Sequence, residues 1–196
     1  MFLSSAETER SKAMWAKRLL WTAAVIQLLF LGGLLFDYEK TKNEGALFRL
    51  ELQAYDPYDM FRGNYLALSF KEDRVKAPKF QPRWDEKFYI KLAQDPKTGF
   101  AHPVEVSQQF HGGDDWVEVS NSGGNVIDGA DTTLLISFMQ DRFFMNEDKV
   151  KRADEVLRRA TADSSKRCWA EMRVRNGTAI LTDVKIDGKS LRDLRH

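Results

Sequence analysis

Hydrophobic residues are distributed in two different ways along this chain. Residues 19–36 read LLWTAAVIQLLFLGGLLF without a formal charge, whereas the sequence from residue 46 onward breaks into short alternating stretches separated by turn chemistry. At about 1.5 Å per residue the first segment makes a helix ~27 Å long, close to the ~30 Å hydrocarbon thickness of a bilayer. Thr22 and Gln27 are its only plainly polar side chains, and Trp15 and Trp21 stand near its entry end, where indole favours the interface. The pattern predicts one membrane span, since a helix satisfies its own backbone groups where water cannot. A cleavable signal peptide is the competing reading, but the run exceeds a usual h-region and no A-x-A-like site follows Phe36.

After the span the period changes to two. In ALFRLELQA, Ala46, Phe48, Leu50, Leu52 and Ala54 share one face, and NYLALSF, with Leu66, Leu68 and Phe70, forms the next strand. Residues 71–82 read as a charged connector interrupted by proline. Lys87–Gln94 alternates again, a turn at Asp95-Pro96-Lys97-Thr98-Gly99 follows, and Pro103 puts the strand around Phe100–Val106 at a sheet edge because proline cannot donate to a ladder. Residues 115–120 and 132–139 add two more strands. Between Asn146 and Ala160, Val150, Ala153, Val156, Leu157 and Ala160 recur at spacings of three and four, which predicts a surface helix with Asn146 as its N-cap. Cys168–Val174, Asn176-Gly177 and Thr178–Ile186 then read as a hairpin with a type I′ turn.

The expected fold is therefore α+β, mainly β: one N-terminal transmembrane helix followed by an antiparallel β-rich domain with one surface helix. The division is residues 1–18 cytoplasmic, 19–36 spanning, 37–45 linker and 46–196 exported domain. Two repeated β units, 46–107 and 131–190, are suggested by a shared order. Each runs from an apolar strand (around Leu66, or LLISFM) through a polar connector to a glycine-turned hairpin, with Lys87, Gly99 and Ala101 answered by Arg167, Gly177 and Ala179.

Charge sets the orientation and narrows the partners. Arg10, Lys12, Lys17 and Arg18 precede the span, while acidic residues are mixed with lysines after it, so the N-terminus is expected in the cytoplasm and the domain in the periplasm or outside, at the cell inner membrane. Thirty basic against 29 acidic residues leave a net charge of +1, too little to attract nucleic acid. Cys168 is the lone cysteine, which rules out an intramolecular disulfide and fits a buried apolar position.

One stretch carries a resemblance. Gly63-Asn64-Tyr65-Leu66-Ala67-Leu68-Ser69-Phe70, preceded by DPYDMFR, resembles the membrane-anchored proteins named for a GDYxxLxY motif, and Arg142-Phe143-Phe144 with Glu147 and Glu155 is similar to that family's later R-Y-F block. Asn64 replaces the motif's aspartate and Phe70 its last tyrosine, so neither a carboxylate nor a phenol is required there. Gly63, Asn64, Tyr65, Leu68 and Phe70 are accordingly expected to be structural. The resemblance implies one N-terminal span and supplies no reaction.

Asp56, Asp59 and Arg62 form the densest polar cluster beside the motif, and with Arg142 and Glu147 they are the candidate contacts for a ligand or partner. Turn chemistry at Asp56-Pro57 explains the same residue types without a ligand. His102, His111, Asp114 and Asp115 match no standard zinc spacing, and no serine lies between Phe36 and Tyr65 to serve as a nucleophile ahead of the motif strand. No catalytic residue, metal or cofactor is expected. The favoured function is an anchored envelope protein whose domain binds or stabilises a partner, a multi-span membrane protein in the sharpest form. The alternative is an envelope hydrolase or small-ligand-binding protein using a cleft near Asp56, Asp59 and Arg62.

Overall fold

The computed structural model describes residues 3–53, 65–77, 80–123, 126–128 and 131–193, in two compact units, Met1–Lys40 and Thr41–His196. Helix α1 spans Leu3–Glu44. Its portion Lys17–Glu44 is long and apolar enough to cross a membrane, with a mean hydropathy of 2.1 and none of its apolar window buried by protein. Leu29 and Phe36 are 71% and 66% exposed. Where the sequence suggests a linker, residues 37–44 stay helical, because nothing in DYEKTKNE breaks a helix before Gly45. Gly45 then donates to the Thr41 carbonyl at 2.9 Å.

The second unit is built from antiparallel strands: β1 (Ala46–Glu51), β2 (Tyr65–Ala67), β3 (Arg74–Lys76), β4 (Lys87–Gln94), β5 (Ala101–Ser107), β6 (Trp116–Asn121), β7 (Val126–Asp128), β8 (Asp131–Phe138) and β9 (Arg142–Phe144), then helix α2 (Glu147–Ala162), β10 (Cys168–Arg175), β11 (Thr178–Ile186) and β12 (Lys189–Ser190). They make a four-stranded sheet β1-β10-β11-β12, a two-stranded ribbon β2-β9, and a larger sheet β3-β8-β6-β4-β5 with β7 paired to β8. The alternating apolar positions supply the core: Phe48 and Leu50 of β1, Phe88, Ile90 and Leu92 of β4, Leu134 and Ile136 of β8, and Ala170, Met172 and Val174 of β10 are all buried. Helix α2 closes over part of it, burying Val150, Ala153, Leu157 and Ala160 as their spacing predicts. Asn146 holds the N-cap backbone position, but its side chain makes no capping hydrogen bond. Strand β3 lies inside the segment read from sequence as a connector. Three residues with one apolar side chain, Val75, give too short a pattern to register.

The ladders of this domain recur in pairs. Arg74, Val75 and Lys76 stand opposite Leu135, Leu134 and Thr133, and Arg142, Phe143 and Phe144 stand opposite Ala67, Leu66 and Tyr65. The shift along the chain that takes Leu66 to Leu134 also takes Arg74 to Arg142, so each ladder is the other with the partners exchanged. Ile136 donates its amide to the Asp73 carbonyl at 2.7 Å, and Leu68 donates to Asp141 at 2.8 Å. The segments themselves match as LALSFKEDR and LLISFMQDR.

Both hairpins carry the same irregularity. Register slips between Lys91 and Leu92 in β4-β5 and between Glu171 and Met172 in β10-β11, so that Leu92 opposite Pro103 is answered by Met172 opposite Leu181. Each half lends its opening strand to the other half's hairpin: Leu50 of β1 faces Ala170 of β10, and Val117 of β6 faces Ile90 of β4. The counterparts Phe70 and Phe138 meet edge-on with ring centroids 5.0 Å apart. By these registers the strand that answers β1 is β6, which precedes residue 131.

Candidate functional site

The two motif blocks singled out in the sequence come together as the ribbon β2-β9. Alternation turns Leu66 and Phe143 into the core at 1% exposure each and leaves Tyr65, Arg142 and Phe144 on the other face, Phe144 64% exposed. The Tyr65 and Phe144 rings lie 5.7 Å apart, and the Arg142 guanidinium sits 5.1 Å from the Tyr65 ring centroid. A cation over an aromatic face at an exposed site contributes about 0.5–1 kcal/mol. The counterpart ladder places Thr133, Arg74 and Lys76 at these positions, so the exposed aromatic pair belongs to one ribbon of the two.

A groove of about 240 Å³ opens elsewhere on the domain, lined by Tyr89, Glu118, Met139, Asn176, Gly177 and Thr178 among others. Its floor exists because the β10-β11 turn docks on β6. Asn176 and Gly177 both take positive φ, 48° and 82°, as the type I′ turn requires, and the Gly177 carbonyl accepts the Glu118 amide at 2.9 Å. Glu118 is the polar centre of the wall: Lys87 Nζ lies 2.8 Å from Oε1 and the Tyr89 hydroxyl donates to Oε2 at 3.3 Å. Burial first, and the Glu118 carboxylate second, push the Tyr89 phenol above its ordinary pKa. The hydrogen bond to Glu118 raises Lys87 as well. Tyr89 also carries the ring of Phe110 at 5.5 Å.

Other polar groups are spent locally. Glu171, 9% exposed, accepts from Lys185 Nζ at 3.0 Å and lies 3.6 Å from Arg49. His111 Nε2 lies 2.8 Å from the Ser107 hydroxyl, and its ring packs against Trp116 with centroids 5.0 Å apart. Among the described residues no carboxylate hydrogen-bonds His111, so the pair lacks the third group that orients a base toward a nucleophile. Burial raises the Cys168 thiol to about 11, which keeps it protonated and unreactive at neutral pH.

Of the candidate residues, Tyr65 and Arg142 are brought into contact. Leu68 and Phe70 are buried at 6% and 4%, and Glu147 opens the first turn of α2, exposed. Asp56, Asp59, Arg62, Gly63 and Asn64 lie outside the described residues. The groove was missed. Tyr89, Glu118 and Thr178 occupy the solvent-facing positions of alternating strands, which a periodicity reading discards. The Asn176-Gly177 turn, which docks on β6, is the part of its lining that the sequence marks.

An apolar N-terminal helix followed by a mainly β domain with reciprocal ladders defines the class of this protein. The chain belongs to the GDYXXLXY protein family, whose model matches residues 27–184. No curated protein and no solved structure matches it.

Proposed function

We propose that this is a single-pass protein of the cell inner membrane, held by residues 19–36 with its N-terminus in the cytoplasm and its β-rich domain in the periplasm or outside, and that the domain binds or steadies a multi-span membrane protein. The observation that carries this reading is the uncovered apolar surface of α1, where side chains from Leu19 to Phe36 find no protein to pack against. Such a surface is stable in hydrocarbon rather than water. Arg10, Lys12, Lys17 and Arg18 ahead of the span support the orientation. The exposed Tyr65–Arg142–Phe144 face supports partner binding, because aromatic and arginine side chains dominate interface hot spots and a shared membrane raises the effective concentration of both proteins.

Protease added to intact spheroplasts should remove the domain and leave a membrane-embedded N-terminal fragment. Digestion that requires detergent lysis overturns the orientation. A photo-crosslinking residue at Phe144 should capture a multi-span protein in native membranes; a chain that stays uncrosslinked overturns the partner reading.

A further inference from the structure

Helix α1 carries two plainly polar side chains across residues 19–36, and their hydrogen bonding differs. The Thr22 hydroxyl donates to the Arg18 carbonyl at 2.9 Å, so its needs are met within its own helix. Among the described residues nothing hydrogen-bonds the Gln27 carboxamide. Gln27 is the ninth of these eighteen residues, about 12–14 Å of helix from either end of the run, too far for its side chain to reach water beyond the hydrocarbon. A carboxamide has two N–H donors and an oxygen that accepts twice, and hydrocarbon offers a partner to neither. The amide therefore calls for a mate on another membrane helix.

Its place on the helix says which. Leu20, Ala24, Gln27, Leu31 and Leu34 recur at spacings of four, three, four and three, the seam of a left-handed helix pair, with Gln27 at the middle position. Leu20, Leu31 and Leu34 are 69%, 54% and 54% exposed, and none of the span's apolar window is buried by this chain. Ala24, one turn ahead of the amide, lets two backbones approach closely. An apolar run contains such a seam at several phases, and Gln27 selects this one. We infer that the span pairs in parallel with the span of a second copy of this chain, Gln27 against Gln27. Copies that enter the membrane the same way round set their two amides at one depth about a two-fold axis, where each donates to the other's oxygen. A single polar residue at a core position also fixes register and orientation, so the pair has one alignment rather than several. This inference rests on the membrane-span reading above and goes beyond it, because it makes the anchor an interface as well as a tether.

The test uses the full chain in phosphatidylcholine vesicles, half of the copies carrying a donor fluorophore at the N-terminus and half an acceptor. Energy transfer should rise and saturate as the protein-to-lipid ratio increases. Q27L should need a ratio about 3–30-fold higher for half-saturation, the range that a polar contact between helices in lipid contributes. Q27N, which keeps a carboxamide, should stay closer to wild type than Q27L does. In native membranes, L31C should form a disulfide between copies on mild oxidation, whereas L29C, on the opposite side of the helix, should not. The buried Cys168 leaves the wild-type chain as an uncrosslinked baseline. A wild-type chain without saturable energy transfer, a Q27L chain that matches it, or equal crosslinking at positions 29 and 31 overturns the inference. L31C bonded instead to a different membrane protein gives the polar face to a partner helix, which overturns the second copy and leaves the partner reading intact. A chain that alkaline carbonate strips from the membrane overturns the span itself, which keeps the two failures apart.

Discussion

Replacing Gly177 by alanine tests how tightly the β10-β11 turn is seated on β6. Two costs arise. The first is backbone: at φ 82° a Cβ carries a left-handed penalty of about 1–2 kcal/mol. The second is steric, because the added Cβ would stand 3.2 Å from Tyr89 Cε1 and 3.3 Å from Phe110 Cε2, close enough that both rings must give by a few tenths of an ångström. Overpacking of this kind adds about 1 kcal/mol, at the low end of its usual range. Gly99 is the natural control, since it holds the equivalent place at φ 75° with nothing within 4 Å of an added Cβ. G99A should therefore cost about 1–2 kcal/mol and G177A about 2–3 kcal/mol. Urea unfolding of the full chain in mild detergent, followed by near-ultraviolet circular dichroism, measures both. Equal losses in the two variants would show that the turn is not pressed against Tyr89 and Phe110, and the account of the groove floor would fall with it.

F70A and F138A should each cost about 3–5 kcal/mol by opening a core cavity, and the double variant should lose less than the sum by about 0.5–1.5 kcal/mol, since the two rings pack edge to face and that contact is lost only once. Strict additivity in the same unfolding assay refutes their contact. The Tyr89 phenol should ionise above the ordinary tyrosine range, and Y89F should remove the highest-pH component of a spectrophotometric titration. The sign for stability follows: a tyrosine freed by unfolding loses its proton first, so the unfolded state binds fewer protons in that window and stability falls as pH rises past about 10. A pH-independent difference between wild type and Y89F across that window would refute the assignment.

Most of the strands were legible because their burial is one-sided. Phe88, Ile90 and Leu92 alternate with Tyr89 and Lys91, and such a run declares both its class and its inner face. The turn at Asn176-Gly177 was legible for a local reason, the need for positive φ at both positions. Strand β3 was not, because its partner β8 is supplied by a distant segment and three residues carry no period of their own. Pairing was hidden for the same reason. That β1 joins β10 rather than β2 depends on which edges remain open after the hairpins form, and no local signal encodes it. For the site, sequence named Tyr65 and Arg142 without knowing that they touch, and it passed over the groove, whose lining is gathered from β4, β6 and the β10-β11 turn.

The exchange of opening strands has a consequence for biosynthesis. Residues 46–51 leave the ribosome early, yet the edge that completes them, Cys168–Arg175, is made near the end of the chain. Until then β1 is a strand with one apolar face and a bare hydrogen-bonding edge, the kind of segment that pairs with a neighbour's when concentrations rise. Closing so long a loop is also slow compared with forming a local hairpin. A message truncated anywhere before codon 168 would therefore yield a sticky fragment instead of a smaller working domain, which gives the cell a reason to degrade such products quickly.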